Sequence, residues 1–540
     1  MNEALLPKTV SVLREGYGLE RLKADAIAGM TVAIVALPLS MAIAIASGVT
    51  PDRGLFTAIV GGFLVSLFGG SRHQIGGPAG AFIVLVAATV ATHGIEGLLL
   101  ATSMAGLILI LCGVLKLGDY IKFIPHPVTV GFTAGIAVII FASQISELFG
   151  LMLPAGEPGP LIDKIPALIA AFPTINMPAT GIAILTVAII LCLRRWRPGF
   201  PGLLIAVVGV SVLTAVLDLP IATIGGKFGG IPNSMPRPAL PAFSIDLALA
   251  VLPDAIAFAL LGAIESLLSA VVADGMTGRR HRSNVELIAQ GVANIGSALF
   301  GGICVTGTIA RTATNVRSGA TSPVSGMLHA LFLLIFMLTA APLAAYIPLA
   351  SLAAVLAVVS WNMVERSAIV SLFRSSRGET LVLLVTFLLV IVRDLTEGIV
   401  VGFALAAMLF IHRMSTTLRV TSHSDEHPID NTDAATVIYR IDGAFFFGAV
   451  AAASAVLDRI ADSHRNLVLD CTGLQMIDAS GVNVLAGAMR KALHHGIAVY
   501  VVTQRAELRS MLLHHGIPAH KVIFVDSLLT AKAEIAASAT

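Results

Sequence analysis

Residues 26–48 read AIAGMTVAIVALPLSMAIAIASG, twenty-three positions without one charged side chain. A helix crossing the hydrocarbon of a bilayer needs roughly 20 mostly apolar residues, so this stretch is long enough to span. A single run of this kind would also suit a buried core helix, and its surroundings decide between the two. Apolar runs recur from Asp25 to about Ile411, and only the chain after Arg419 reads as an ordinary soluble protein. Of the 540 residues, 12% are charged, about half of the roughly 25% usual in soluble domains.

Runs between polar or Gly/Pro breaks fall at 25–47, 54–69, 79–92, 97–116, 127–147, 178–193, 200–218, 252–273, 284–300, 310–318, 320–341, 346–362, 379–392 and 395–412. They predict about fourteen spans. With a cytoplasmic N-terminus, the inner segments hold nineteen Lys and Arg, from Lys8 through Lys122 to Arg419. The outer loops hold five: Arg53, Lys164, Lys227, Arg237 and Arg393. This positive-inside bias predicts an even number of spans, with both termini cytoplasmic. The N-terminus is polar up to Lys23 and shows no cleavage site, so the first span is expected to remain in the membrane. An inner-membrane protein follows.

The balance of the composition excludes other classes. A net charge of +2 gives no indication of a nucleic-acid partner. Cys112, Cys192, Cys304 and Cys471 are scattered without CxxC spacing, so neither a disulfide framework nor a zinc site is indicated and each reads as a small buried hydrophobe. No P-loop, metal cluster or nucleophile motif supports an enzyme, and no cofactor is implied.

Two segments are too short to cross the bilayer. Ala79–Thr92 follows Gly76-Gly77-Pro78, and the polar stretch from Ala310 follows GGICVTGT at 301–308. They are the third and tenth spans, seven apart, as a seven-plus-seven inverted repeat requires. Short, Gly/Pro-interrupted spans at matching places in two halves point to a transporter's binding site. Their N-termini would aim free N–H groups and positive dipole ends at one point near the midplane, which suits an anion. The expected binding residues are Gly77, Pro78, Ala79, Gly80 and Ala81 on one side, and Ala310, Arg311 and Thr312 on the other. Arg311 adds a full charge that must face a wet cavity or a partner. Glu265, in the eighth span, is read as a carrier of a proton or sodium ion, or as a counter-ion for Arg311. Ser269, one turn further on, would add an oxygen ligand to sodium. His126, Glu147 and Asp163 are read as interfacial or solvated. Gly131, Gly135, Gly402 and Ala406 are read as helix-packing contacts.

At these residues the chain resembles the sulfate permease (SulP) family of anion transporters along nearly its whole length. The likeness is carried by LPLSMAIAIASGV from Leu37, GGSRHQIGGPAGAF from Gly69, GAIESLLSAVVADGMTG from Gly262, SNVELIAQGVANIGSALFGG from Ser283 and IARTATNVRSGATSPVSG from Ile309. The resemblance implies a core domain (spans one to four and eight to eleven) that moves against a gate domain in an elevator-like cycle. The substrate would lie between the third and tenth spans. It assigns Arg311 to the arginine at the start of the tenth span, Glu265 to the acidic position that holds or replaces a coupling cation, and Gly77 to Ala81 to the start of the third span. The runs around Glu265 and Arg311 are most similar to DauA-like bacterial C4-dicarboxylate members. Leu39 follows Pro38 where many members carry Gln or Glu, which departs from a generic sulfate pattern.

Beyond a polar linker at 420–434, the periodicity changes. Val437–Ile441, Asn466–Cys471, Ala498–Val502 and Val522–Val525 read as strands, and Ala449–Ser463, Ala479–His494, Ala506–His515 and Ser527–Ala537 as amphipathic helices. This alternation predicts a small α/β domain at 435–540. LVLDCTGLQMIDASGVNVL, from Leu467, resembles the STAS module. By that resemblance Ser480 aligns with the serine phosphorylated in anti-sigma antagonists; a helix N-cap is the plainer role for it.

The expected organisation is therefore a cytoplasmic segment (1–24), a transport domain (25–419), the linker and the STAS domain. The expected function is secondary active transport of a small anion, of the sulfate or C4-dicarboxylate class, coupled to H+. The alternatives are sodium-coupled bicarbonate transport and an uncoupled channel or exchanger; a nucleobase permease is disfavoured by Arg311 and the STAS tail. Expected partners are the anion, the coupling ion, the lipid bilayer, a second copy in a homodimer and a cytoplasmic protein at the STAS domain.

Overall fold

The computed structural model describes residues 6–121, 125–153, 161–197, 201–393, 395–422, 435–457, 464–518 and 520–539. Lys122, linker positions 423–434 and the end of the helix expected at Ala449–Ser463 lie outside them. The chain forms two compact units, Met1–Phe403 and Ala404–Thr540.

The first unit is helical. In chain order it contains α1 (Lys8–Arg14), α2 (Leu19–Ala46), α3 (Pro51–Phe68, with a π turn at Thr57–Gly61), α4 (Ile83–Val114) and α5 (His126–Phe149). Then come α6 (Leu161–Ala171), α7 (Met177–Trp196), α8 (Gly202–Leu217), α9 (Ile245–Thr277), α10 (Ser283–Leu299), α11 (Ile309–Arg317) and α12 (Val324–Ala344). It ends with α13 (Leu349–Met363), α14 (Arg366–Ser375), α15 (Arg377–Val392) and the start of α16 (Leu395–Ser415). Among the described residues, nine helices are long and apolar enough to cross a membrane, which makes this a polytopic α-helical membrane protein. Others, such as α8, α10 and the nine-residue α11, are shorter.

Several boundaries differ from the sequence reading, each for a local reason. The eighth segment extends to 33 residues because the Ser244 side chain caps its start, accepting from Leu247 N–H at 3.1 Å, and Gly278 ends it in the left-handed region. The third and fourth segments are one helical run broken at Gly94, whose φ of 68° is non-helical. The helices α1, α6 and α14 lie in stretches read as loops. The packing role expected of small residues is visible on α5: Gly131 lies against Leu383 O and Gly135 against Val390, so a Cβ at either would press on α15.

Two other side chains depart from expectation. Glu147 is ion-paired, Lys227 Nζ donating to it at 2.6 Å, because a short helix at Ile224–Phe228 brings the lysine to the end of α5. Cys192 is exposed on α7, on an outward helix face that lipid rather than protein would cover.

The second unit contains a six-stranded sheet in the order Arg419–Ser422, Thr436–Phe445, Asn466–Asp470, Ala498–Val502, Val522–Val525, with Leu474–Ile477 beside Thr436–Phe445; two short strands of the first unit, β1 (Gly76–Gly77) and β2 (Thr306–Gly307), precede it in the chain. Its strands are β3 (Arg419–Ser422), β4 (Thr436–Phe445), β5 (Asn466–Asp470), β6 (Leu474–Ile477), β7 (Ala498–Val502) and β8 (Val522–Val525). All neighbours are parallel except β3 on β4. The helices are α17 (Val450–Leu457), α18 (Ala479–His494), α19 (Ala506–His514) and α20 (Leu528–Ala539). Strand periodicity divides the core: Tyr439, Leu467, Leu469, Val499 and Val501 point to one side, with α18 and α19, and Ile438, Val468, Tyr500 and Val502 to the other, with α20. The strand β3 occupies positions read as the end of the transport segment and the start of the linker. Alternation over four residues is too short a signal to separate an edge strand from a tether.

Candidate functional site

The two short segments meet at an antiparallel pair of two-residue strands, β1 (Gly76–Gly77) and β2 (Thr306–Gly307), with Gly76 opposite Gly307 and Gly77 opposite Thr306. Thr308 N–H donates to Ile75 O at 3.0 Å and Ile75 N–H to Thr312 Oγ1 at 3.1 Å, which extends the crossing. A 3₁₀ turn at Gly80–Phe82 leads from it into α4, and Ile309 opens α11. The first N–H groups of a helix have no intrahelical acceptor; here two such sets begin within a few residues of one crossing.

Unwound backbone inside a membrane protein must find partners elsewhere, and side chains of neighbouring helices supply them. Asn294 grips Val305 from both sides, its Nδ2 donating to Val305 O and its Oδ1 accepting from Val305 N–H, both at 2.9 Å. Ser297 Oγ donates to Ile303 O at 2.7 Å, and Thr57 Oγ1 accepts Ile303 N–H at 2.7 Å. The approach to α11 is thus a built element.

Of the expected binding residues, Gly77, Pro78, Ala79, Ala81, Arg311 and Thr312 are buried, Gly80 is half-buried and Ala310 is exposed. Arg311, in the first turn of α11, is 1% exposed. Its Nη2 donates to Ser40 Oγ at 3.2 Å and to Pro78 O at 3.1 Å, so the guanidinium links α2, the start of the α4 segment and α11. Gly77 makes room for it: a Cβ there would overlap Nη1. Two helix starts and a full positive charge converge here, and each favours an anion.

Glu265 lies in the middle of α9, 8% exposed, and has no hydrogen-bond or ion partner among the described residues. The counter-ion alternative therefore finds no contact: Arg311 is held by a serine and a carbonyl. Ser269 Oγ donates to Thr312 Oγ1 at 3.0 Å, tying α9 to α11.

Glu265 is also not the only other ionisable side chain buried in this region. Glu286 on α10 is 0% exposed and accepts from Gly70 N–H at 2.8 Å, Ser71 N–H at 3.1 Å, Gln74 Nε2 at 3.1 Å and Gln290 Nε2 at 2.9 Å. Gln74 Nε2 also donates to Ser266 Oγ at 2.8 Å, beside Glu265. His329 on α12 is 0% exposed. Both were legible as ionisable residues within apolar runs. Glu286 stands near the edge of its run, where a solvated position is the simpler reading. Ser40, in LPLS, carried no signal of its own.

In the second unit, Ser480 is not the N-cap. Asp478 caps α18, its carboxylate accepting from Gly481 N–H at 2.8 Å and from Phe447 N–H at 3.1 Å. Ser480 sits inside the first turn, half-buried. The aspartate precedes the helix by one residue, where a short acceptor can fold back on the free N–H groups.

Comparison with known proteins identifies the family and the fold. Residues 22–386 match the sulfate permease family and residues 427–527 the STAS domain. The chain is 40% identical over 514 residues to YvdB of Bacillus subtilis (94% of this chain, 96% of the relative). It is 32% identical over 519 residues to the bicarbonate transporter BicA of Synechocystis sp. (91% and 90%). The solved structure of SLC26A9 superposes with a TM-score of 0.86 at 17% identity, covering 99% of this chain and 94% of that one, a likeness of fold. By this match over most of its length, the chain belongs to the sulfate permease family, as a polytopic anion transporter rather than an enzyme, and it carries a STAS domain.

Proposed function

We propose that this protein is a secondary active importer of a small dianion or monoanion, of the sulfate or C4-dicarboxylate class, driven by proton symport. The anion is held between the start of the α4 segment (Gly77, Pro78, Ala79, Gly80, Ala81) and that of α11 (Ala310, Arg311, Thr312). The observation that carries this reading is the antiparallel pairing of Gly76–Gly77 with Thr306–Gly307, which joins both helix starts and Arg311 in one place. Glu265 is the proposed proton carrier: an unpartnered carboxyl at this depth is expensive when ionised, and is retained where a mechanism uses it. It also disfavours an uncoupled pore, which has no need of a buried acid.

Within this reading the fourteen-span, seven-plus-seven arrangement holds, both termini are cytoplasmic, the core rises and falls against the gate, and two copies pair. The domains divide at 25–419 and 435–540, and the STAS domain takes a cytoplasmic partner, with Ser480 as its candidate phosphosite. A second reading, sodium-coupled bicarbonate transport, is favoured by the 32% identity to a protein named for bicarbonate. In it Ser269 would release Thr312 to join a sodium shell.

The test is uptake of labelled sulfate, fumarate and bicarbonate into proteoliposomes under imposed proton or sodium gradients. Sulfate or fumarate accumulation driven by protons supports the first reading. Sodium-driven bicarbonate accumulation supports the second, and uptake that merely equilibrates removes coupling altogether.

A further inference from the structure

The two non-helical segments that meet at the β1–β2 crossing are both held by one helix. Glu286, Gln290, Asn294 and Ser297 stand three or four residues apart on α10, which places them on one face, and all four are buried. The far end of this face holds the segment before β2, through Asn294 on Val305 and Ser297 on Ile303. The near end holds the segment before β1. Between the two, Gln290 Nε2 donates to Glu286 Oε1 at 2.9 Å and Asn294 Nδ2 to Gln290 O at 2.8 Å, so the polar stripe is continuous.

The hold on the first segment is divided between the two oxygens of Glu286. Oε2 accepts the successive N–H groups of Gly70 and Ser71, and Oε1 accepts Gln74 Nε2 at 3.1 Å. Arg282 N–H, from the start of α10, adds a bond to Gly70 O at 3.0 Å. Gln74 carries the hold further: its Nε2 also donates to Ser266 O at 3.1 Å and to Ser266 Oγ at 2.8 Å, on the residue after Glu265. The same amide lies against the crossing, since a Cβ at Gly307 would overlap Nε2. One side chain, two residues before β1, thus touches α9, α10 and β2. Only a carboxylate can receive donors at both of its terminal atoms, where an amide receives them at one. Glu286 has no ion-pair partner among the described residues, and an ionised group at this depth is costly and is retained where it has work to do.

We propose that Glu286 and Gln74 are positioning residues for the anion site. Glu286 fixes the loop before β1 against α10, and Gln74 fixes the start of β1 against α9 and β2. Together they set the register in which Gly77 to Ala81 stand opposite Arg311. Without the Gln74 amide the loop keeps its bonds at Gly70 and Ser71, but the strand is free to slide against Thr306–Gly307. The positioning of the anion rests on the function proposed above; the hold on the strand does not.

Two measurements separate these. In hydrogen exchange of the full-length protein in nanodiscs, Gln74→Leu should speed the exchange of the amides of Ile75, Gly76 and Gly77 at least about tenfold over wild type. The amides of Ile303 and Val305, held from Thr57 and Asn294, should be unchanged. Equal rates at Ile75 to Gly77 overturn the hold. In proteoliposomes with labelled sulfate, fumarate and bicarbonate, Gln74→Leu should raise KM about tenfold for whichever anion is carried, with kcat little changed. Gln74→Glu sets a second carboxylate against Glu286 and should be impaired at least as much. Combined with Glu286→Gln, it restores a carboxylate–amide pair and should return KM to within about threefold of wild type. An unchanged KM in Gln74→Leu, or a double variant as impaired as Gln74→Glu alone, overturns the positioning role. If wild type carries none of the three anions, the anion reading fails while hydrogen exchange still decides whether Gln74 holds the strand.

Discussion

At the scale of single residues, the proposed function gives Arg311 the binding role and Glu265 the coupling role, and substitutions test the two separately. Arg311→Ala removes the charge and the link between Ser40 and Pro78, and should weaken anion binding by at least about tenfold, since hydrogen bonds to charged groups contribute roughly 1.5–3 kcal/mol. Isothermal titration with the transported anion measures this, and unaltered affinity would make Arg311 structural. Glu265→Gln keeps the shape of the side chain but cannot release a proton. It should leave anion binding intact and abolish accumulation driven by a pH gradient; accumulation at the wild-type level would remove Glu265 from the coupling mechanism. In the second unit, burial pushes the Cys471 thiol up to about 12. A thiol remains unreactive while its pKa lies well above the ambient pH, so at pH 8 Cys471 should resist iodoacetamide until the domain unfolds. The residues proposed to bind were picked out because glycine, proline and arginine are anomalous inside apolar runs. Ser40 was not, because a serine in a helix is ordinary until a guanidinium is found against it.

At the scale of elements, the unwound segment before α11 depends on one side chain more than on any other. Asn294→Ala leaves both polar groups of Val305 unpaired at about 1–3 kcal/mol each. The variant should lose several degrees of thermal midpoint and bind anion weakly, because the start of α11 would no longer be held in place. A variant that is as stable and as tight as wild type would show that the segment holds itself. The α18 cap makes a parallel case. Asp478→Ala should destabilise the domain by about 1 kcal/mol, while Ser480→Ala should have a much smaller effect. The reverse order, measured by denaturant melts, would restore Ser480 as the cap. Element types were readable from hydrophobic period. Their ends were not, because ends are decided by capping side chains such as Ser244 and Asp478, whose partners are backbone groups in particular conformations.

At the scale of the whole molecule, the chain divides into a helical membrane unit and an α/β unit that begins before the linker does. A truncation meant to remove the STAS domain should therefore end at Ser415, ahead of β3, so that no unpaired edge strand is left behind. Such a chain should keep its anion affinity to within about threefold, a change of under 1 kcal/mol, while its transport rate changes; a well-folded but inactive truncation would show that the domain takes part in the cycle itself. The sequence by itself determined that the first unit lies in a membrane, that two of its segments are broken, and that a small α/β domain follows, because hydropathy, Gly/Pro interruption and period are local properties of the chain. Only the tertiary structure decided that Gly76–Gly77 pairs with Thr306–Gly307 across more than two hundred residues, and that Arg311 is held by Ser40 and Pro78 rather than by Glu265. Those contacts depend on which helices pack together, and no local pattern encodes the partner of a buried charge.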